Sequence, residues 1–108
     1  MKNEIETYLK FISSNYKSRH KSSTTSAEIL TEMENKFDDT LRTDDGGRAY
    51  IRVVTNTSVH SFIVKYDGDK FKRGDILKAA SWGSPAKNFS RGNIFVPESY
   101  ARLSWTGA

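Results

Sequence analysis

An α+β fold is expected from this 108-residue sequence on three grounds. Apolar residues recur at three- and four-residue spacing as far as Leu41, the period then falls to two, and Asp44-Asp45-Gly46-Gly47 marks the change with turn chemistry. The expected arrangement is two N-terminal helices packed on a small antiparallel sheet of three to four strands, with a short capped helix near the C-terminus. A helix with one apolar stripe needs a sheet face to cover. At this length the expectation is a single domain over residues 1–108, helical over 1–47 and strand-rich over 48–108.

In the first helix Ile5, Tyr8, Leu9, Ile12 and Tyr16 share one face. Glu4 and Glu6 lie in its first turn and Lys17 and Arg19 at its far end, each sign where the macrodipole favours it. Residues 17–26, Lys-Ser-Arg-His-Lys-Ser-Ser-Thr-Thr-Ser, hold no large apolar side chain and read as a polar connector. Thr25 and Glu28 then have capping-box spacing, and Ile29, Leu30, Met33, Phe37 and Leu41 form a second helical stripe.

After the glycines, Tyr50–Thr55 and Val59–Tyr66 are rich in β-branched and aromatic residues, and Asn56-Thr57 between them suits a tight hairpin turn. Asp67-Gly68-Asp69 makes a second turn, and a third strand is expected over Asp75–Ser81. Ser84-Pro85 reads as an N-cap and first helical residue, so a short helix over 85–91 would close on Gly92 in the left-handed conformation. Ile94-Phe95-Val96 reads as a further strand before Pro97. The expected core is Ile29, Met33, Phe37, Ile51, Val53, Phe62, Val64, Ile76 and Leu77. Neither central strand alternates cleanly, and a sheet apolar on both faces would leave one face for a homo-oligomer interface.

Composition excludes several classes of function. There is no cysteine, so no disulfide, thiolate zinc site or thiol nucleophile exists. Aromatic residues at 12% argue for a folded chain. The N-terminus lacks the continuous apolar run of a signal peptide and no stretch has the length of a membrane span, so the cytoplasm is the expected compartment. Catalysis has no signature. His20 falls in the polar connector and His60 on a strand, expected at the surface or half-buried, and neither belongs to a Ser-His-Asp or His-x-x-x-His pattern. Asp38-Asp39 and Asp44-Asp45 lack calcium-loop spacing, and no metal or cofactor is expected. Arg73-Gly74-Asp75 matches an adhesion tripeptide, but its glycine is better explained as a bend before a strand.

The net charge of +4 is unevenly spread. Residues 1–47 carry seven Lys and Arg against nine Asp and Glu, whereas residues 48–108 carry ten against four. A basic second half points to an anionic partner, nucleic acid first. The densest mixture of cations, aromatics and an amide is Lys78, Trp82, Lys87, Phe89, Arg91 and Asn93. Lys and Arg displace counterions from phosphates, and aromatic faces stack on unpaired bases. The expected nucleic-acid contacts are therefore Lys78, Lys87 and Arg91 on phosphates, Trp82 as a stacking face, and Asn93.

The run from Gly74 to Phe95, with Gly74-Asp75 leading to Lys78, Trp82, Pro85-Ala86-Lys87 and Arg91-Gly92-Asn93, resembles a motif of small uncharacterised bacteriophage proteins. It covers about a fifth of the chain. Gly83 and Ser84 depart from the longer side chains of that motif, so no basic contact carries over to those two positions. The resemblance implies a phage origin more than a function, and with that origin the expectation is a phage-encoded accessory protein in the host cytoplasm. Two partners are then expected in order, RNA or DNA bound by the basic half, or a host protein that the domain inhibits or redirects.

Overall fold

The computed structural model describes residues 2–19, 35–55, 58–103 and 107, and for Arg19 the backbone only. Helix α1 (Lys2–Arg19) is followed by strands β1 (Arg42–Asp44), β2 (Tyr50–Thr55), β3 (Ser58–Val64), β4 (Asp75–Lys78) and β5 (Gly92–Asn93), then a 3₁₀ turn at Pro97–Ser99. The strands form one antiparallel sheet in the order β1-β2-β3-β4-β5, each paired with its neighbour in sequence. The α+β class is as expected, with more strands and, among the described residues, less helix.

Helix α1 covers one face of the sheet. Tyr8, Ile12 and Tyr16, four residues apart, are buried against Ile51, Val53, Ile63 and Ile76, and Ile5, Leu9 and Phe11 flank them. These sheet residues are the inward members of the period-two alternation. The C-terminal segment closes the layer: Tyr100 packs edge-on against Tyr8 at 5.0 Å and against Phe11 at 5.2 Å, and Ile94 joins the cluster. A helical segment at 35–40 sends Phe37 into the same core, where its ring stacks on Tyr16 at 4.1 Å. The expected start of the second helix, with Thr25, Ile29, Leu30 and Met33, lies outside the described residues, as do His20 and the turn at 56–57.

A bulge in the β2–β3 pair explains why the strands read as irregular. Val53 pairs with Ser61 but Val54 with Val59, leaving His60 as the extra residue. In a regular strand successive side chains point to opposite faces, yet His60 and Ser61 both reach the same atom of α1. Tyr8 Oη lies 2.9 Å from Ser61 Oγ and 3.3 Å from His60 Nδ1. His60 is 2% exposed, correcting the surface or half-buried position expected of it.

The opposite face of the sheet is also apolar. Phe62, Val64 and Leu77 form a second buried cluster with Tyr50, Val59, Phe71 and Ala79 at its margin. The β4–β5 connection, residues 79–91, folds back toward it. Ala86 N donates to Lys78 O at 2.7 Å, Ala79 bridges to the buried Pro85, and Arg52 Nε donates to Trp82 O at 2.8 Å. Phe62, Val64 and Leu77 on this second face are therefore buried within the chain itself.

Three local expectations are overturned by the same pairing. The helix over 85–91 does not form, because its amides are taken by β4: Ala86 N by Lys78 O and Arg91 N by Ile76 O. Ser84 does not cap a helix, since its carbonyl accepts from Ala80 N and Ser81 N in a turn. Gly92 has φ 151° and begins β5 rather than closing a helix. The strand expected at Ile94-Phe95-Val96 falls two residues earlier, at Gly92–Asn93, because Val96 N returns to Asn93 O and folds residues 94–95 into a turn. The third strand stops at Lys78, short of Ser81. Arg42–Asp44, read as the end of a helix and the start of a turn, is instead the edge strand β1, after Leu41 N closes the helical segment on Phe37 O.

Candidate nucleic-acid interface

Strand alternation places Tyr50, Arg52, Phe62, Val64 and Leu77 on the face away from α1, opposite Ile51, Val53, Ile63 and Ile76. Cations sit over aromatic rings on this side of the molecule, and Arg73 does the same on the α1 side, where it lies near Ile51 and its charge reaches Glu4. The Arg52 guanidinium is 5.1 Å from the centre of the Trp82 ring and 5.9 Å from that of Phe62. Lys87 Nζ stands 5.9 Å from Tyr50, Lys70 Nζ 5.6 Å from Phe71, Arg73 5.6 Å from Phe95, and Arg91 4.2 Å from Phe89. Such contacts orient a cation against the ring's negative face and are worth about 0.5–1 kcal/mol each at exposed sites.

The rings are not hidden. Trp82 is 51% exposed, Phe89 56%, Phe95 42% and Tyr66 69%. Trp82 sits in a run of exposed residues, 80–84, whose turn is fixed by the Ser84 carbonyl. Its backbone is held by Arg52, which also donates to Asp44 Oδ2 at 2.7 Å. One side chain thus ties the β1 edge, the middle of β2 and the β4–β5 connection together.

The charge is largely uncompensated. Among the described residues from Arg48 onward, Arg52 forms an ion pair, with Asp44, and the other Lys and Arg form none. Lys65 is used within the fold, donating to the carbonyls of Asp45 and Gly47. Lys70 donates to the carbonyl of Lys87, which brings two ammonium-bearing residues to one place. Asp75 is held in place by its neighbours, its oxygens accepting from Lys72 N at 2.9 Å and Asn93 Nδ2 at 3.0 Å. Those same bonds anchor Asp75 of the Arg73-Gly74-Asp75 tripeptide, in which Gly74 is buried and Arg73 exposed.

The residues singled out by sequence separate into two groups. Trp82, Lys87 and Arg91, with Phe89, all lie on the β4–β5 connection and stand at or near the surface. Lys78 is exposed but follows Ile76 in the alternation that faces α1, on the other side of the strand from Leu77. Asn93 is engaged inside the fold: its amide donates to Arg73 O and Asp75 Oδ1, its side-chain carbonyl accepts from Phe95 N, and its backbone meets Ser99 Oγ. Sequence reasoning missed Tyr50, Arg52, Lys70 and the Arg73–Phe95 pair. Period-two alternation alone puts Arg52 beside Tyr50, but nothing local indicates that Trp82, thirty residues on, closes over it.

Among the described residues no group of three or more His, Asp or Glu is placed to hold a metal ion. No helix among them is long and apolar enough to cross a membrane. The buried Tyr8-His60-Ser61 cluster has its phenol pushed well above the ordinary tyrosine range by desolvation, only partly offset by the bond to Ser61. A phenol locked in its neutral form in the core is a structural group.

A family model described as a family of unknown function, DUF7717, matches residues 1–108. No curated protein and no solved structure matches the chain.

Proposed function

The chain belongs to the family of unknown function DUF7717, and within it we propose that this protein binds nucleic acid through the basic, aromatic surface of its second half. The observation that carries this reading is the repeated pairing of a cation without an ion-pair partner with an aromatic ring, at Lys87–Tyr50, Arg91–Phe89 and Lys70–Phe71. Phosphates are met by the charges, while the rings provide apolar faces beside them. Lys70, Lys87 and Arg91 are the phosphate contacts and Trp82 a stacking face; Asn93 supports the loop from within. The likeness of the Gly74–Phe95 run to small bacteriophage proteins supports a phage-encoded accessory role in the host cytoplasm.

The test is an anisotropy titration of labelled oligonucleotides at several salt concentrations. Three phosphate contacts give a slope of about −2 to −3 in log K against log salt. No affinity for RNA or DNA at low salt removes the reading. A second reading, a module that inhibits or redirects a host protein, is favoured by Phe95 and Val96, which are 42% and 45% exposed at one corner. Its mark would be a defined host partner, retained after nuclease treatment and lost on Phe95→Ser.

A further inference from the structure

We infer that the ligand is single-stranded, with unpaired bases stacking on Trp82 and Phe89; this rests on the nucleic-acid reading above and narrows it. The two rings belong to the same connection, residues 79–91, and each already has one side occupied by an arginine. The Arg52 guanidinium is 5.1 Å from the Trp82 ring centre and the Arg91 guanidinium 4.2 Å from that of Phe89. Roughly half of each residue's surface is nevertheless open, at 51% and 56%. A ring covered on one side and exposed on the other is a platform. A base laid on its free face completes a guanidinium-ring-base stack, and such stacking tolerates any sequence because every base presents a π face.

Arg52 is fixed before any ligand arrives, held by the Trp82 carbonyl and Asp44, whereas for Arg91 the backbone is anchored, its amide bonded to Ile76 O in the sheet. Preorganised rings lose little conformational freedom on binding. The lysines beside them, Lys87 and Lys70, are joined through the Lys87 carbonyl and supply the positive track that a backbone follows.

Duplex recognition is poorly served by the same surface. Reading a major groove takes a helix or a two-stranded ribbon that can enter it. Among the described residues the one long helix, α1, presses its apolar face on the sheet and belongs to the acidic half of the sequence. Aromatic rings standing out of a loop find no face to stack on in an intact helix, whose bases are already stacked.

The experiment compares a single-stranded RNA, a single-stranded DNA of the same sequence, and its duplex, titrated against the intact protein at one salt concentration. At least one single strand is expected to bind about tenfold or more tightly than the duplex, and the two single-strand arms identify RNA or DNA as the natural ligand. In a Trp105→Phe background, leaving Trp82 as the sole indole, binding should quench tryptophan emission. Trp82→Leu and Phe89→Leu are each expected to weaken single-strand binding about fivefold or more and leave duplex binding unchanged, whereas Trp82→Phe retains it. Because both side chains are exposed, the leucine variants keep the fold, checked by an unchanged melting midpoint. Equal affinity for duplex and single strands, or leucine variants as good as the parent, overturns the stacking inference and leaves nucleic-acid binding standing. Absence of binding in all three arms overturns both.

Discussion

Tyr8 Oη lies 2.9 Å from Ser61 Oγ, a fully buried hydrogen bond that joins α1 to β3 across a separation of 53 residues. His60 Nδ1 is within reach of the same hydroxyl only because the bulge turns two successive side chains toward the helix. Tyr8→Phe keeps the ring and its edge contact with Tyr100 but deletes the hydroxyl. The expected loss is about 1–3 kcal/mol, since a buried polar group is left with one partner fewer. Urea unfolding of the two proteins would measure it, and an unchanged midpoint would contradict the role assigned to this bond.

The same tyrosine makes stability fall in alkali. Desolvation raises the folded-state pKa of Tyr8 above its ordinary value, and burial also raises that of Tyr100. A raised pKa means that the unfolded chain gives up its phenolic proton first. The native state is therefore at no disadvantage below about pH 10 and loses ground as pH climbs beyond it, by up to roughly 1.4 kcal/mol per pH unit for Tyr8. Unfolding midpoints followed upward from pH 8 should bend downward near that value. Tyr8→Phe should bend less steeply, and identical slopes would place the titration elsewhere.

Gly74 and Gly83 make a matched pair for substitution. Gly74 has φ 90°, and a Cβ there would sit 2.6 Å from the Phe95 ring and 3.0 Å from Asn93 Oδ1. Gly83 has nothing within 4 Å of the same position. Gly74→Ala is therefore expected to cost roughly 2 kcal/mol or more, through both backbone strain and the displaced ring. Gly83→Ala is expected to stay within about 0.5 kcal/mol of the parent. Thermal melts of the two variants check both statements at once.

How far the sequence reaches can be seen at these same residues. The stripe Tyr8-Ile12-Tyr16 and the alternating Ile51 and Val53 are local periodicities, and the structure buries all five. The β4–β5 connection was misread because its local grammar, Ser84-Pro85 followed by Gly92, is that of a short helix, while the partners that win its amides, Lys78 O and Ile76 O, are contributed by a strand up to fifteen residues earlier in the chain. Non-local pairing overrode a propensity that is weak in so short a segment. For the candidate interface, composition singled out Trp82, Lys87 and Arg91, which the structure places on one loop. It did not single out Arg52 or Tyr50, since a lone cation in a β-branched strand gives no hint of the ring that will lie over it.

Asn93 was expected to contact the ligand, and its position in the structure gives a different outcome. Both its amide and its side-chain carbonyl are engaged, with Arg73, Asp75 and Phe95, where the β4 start meets the turn after β5. Asn93→Ala is expected to destabilise the fold by about 1–3 kcal/mol through the unpaired groups it leaves. Nucleic-acid affinity, measured well below the melting point, should match the parent. A variant of full stability with weakened binding would return Asn93 to the interface.

Asp44 offers a test of the surface that adds rather than removes. Its carboxylate forms the ion pair with Arg52, and both groups are partly open to solvent. An exposed pair of this kind contributes at most about 1 kcal/mol to stability. Asp44→Asn keeps an acceptor for the Arg52 guanidinium, so the support beneath Trp82 stays in place while one negative charge leaves the edge of the basic face. Phosphates approaching that face then meet an unneutralised Arg52, and affinity should rise at low salt. The salt dependence should steepen by up to about one in log K against log salt. Charge and geometry separate cleanly here, because Arg52→Ala removes both and is expected to weaken binding. If Asp44→Asn weakens it as well, the ligand does not approach from the side on which Arg52 and Trp82 meet.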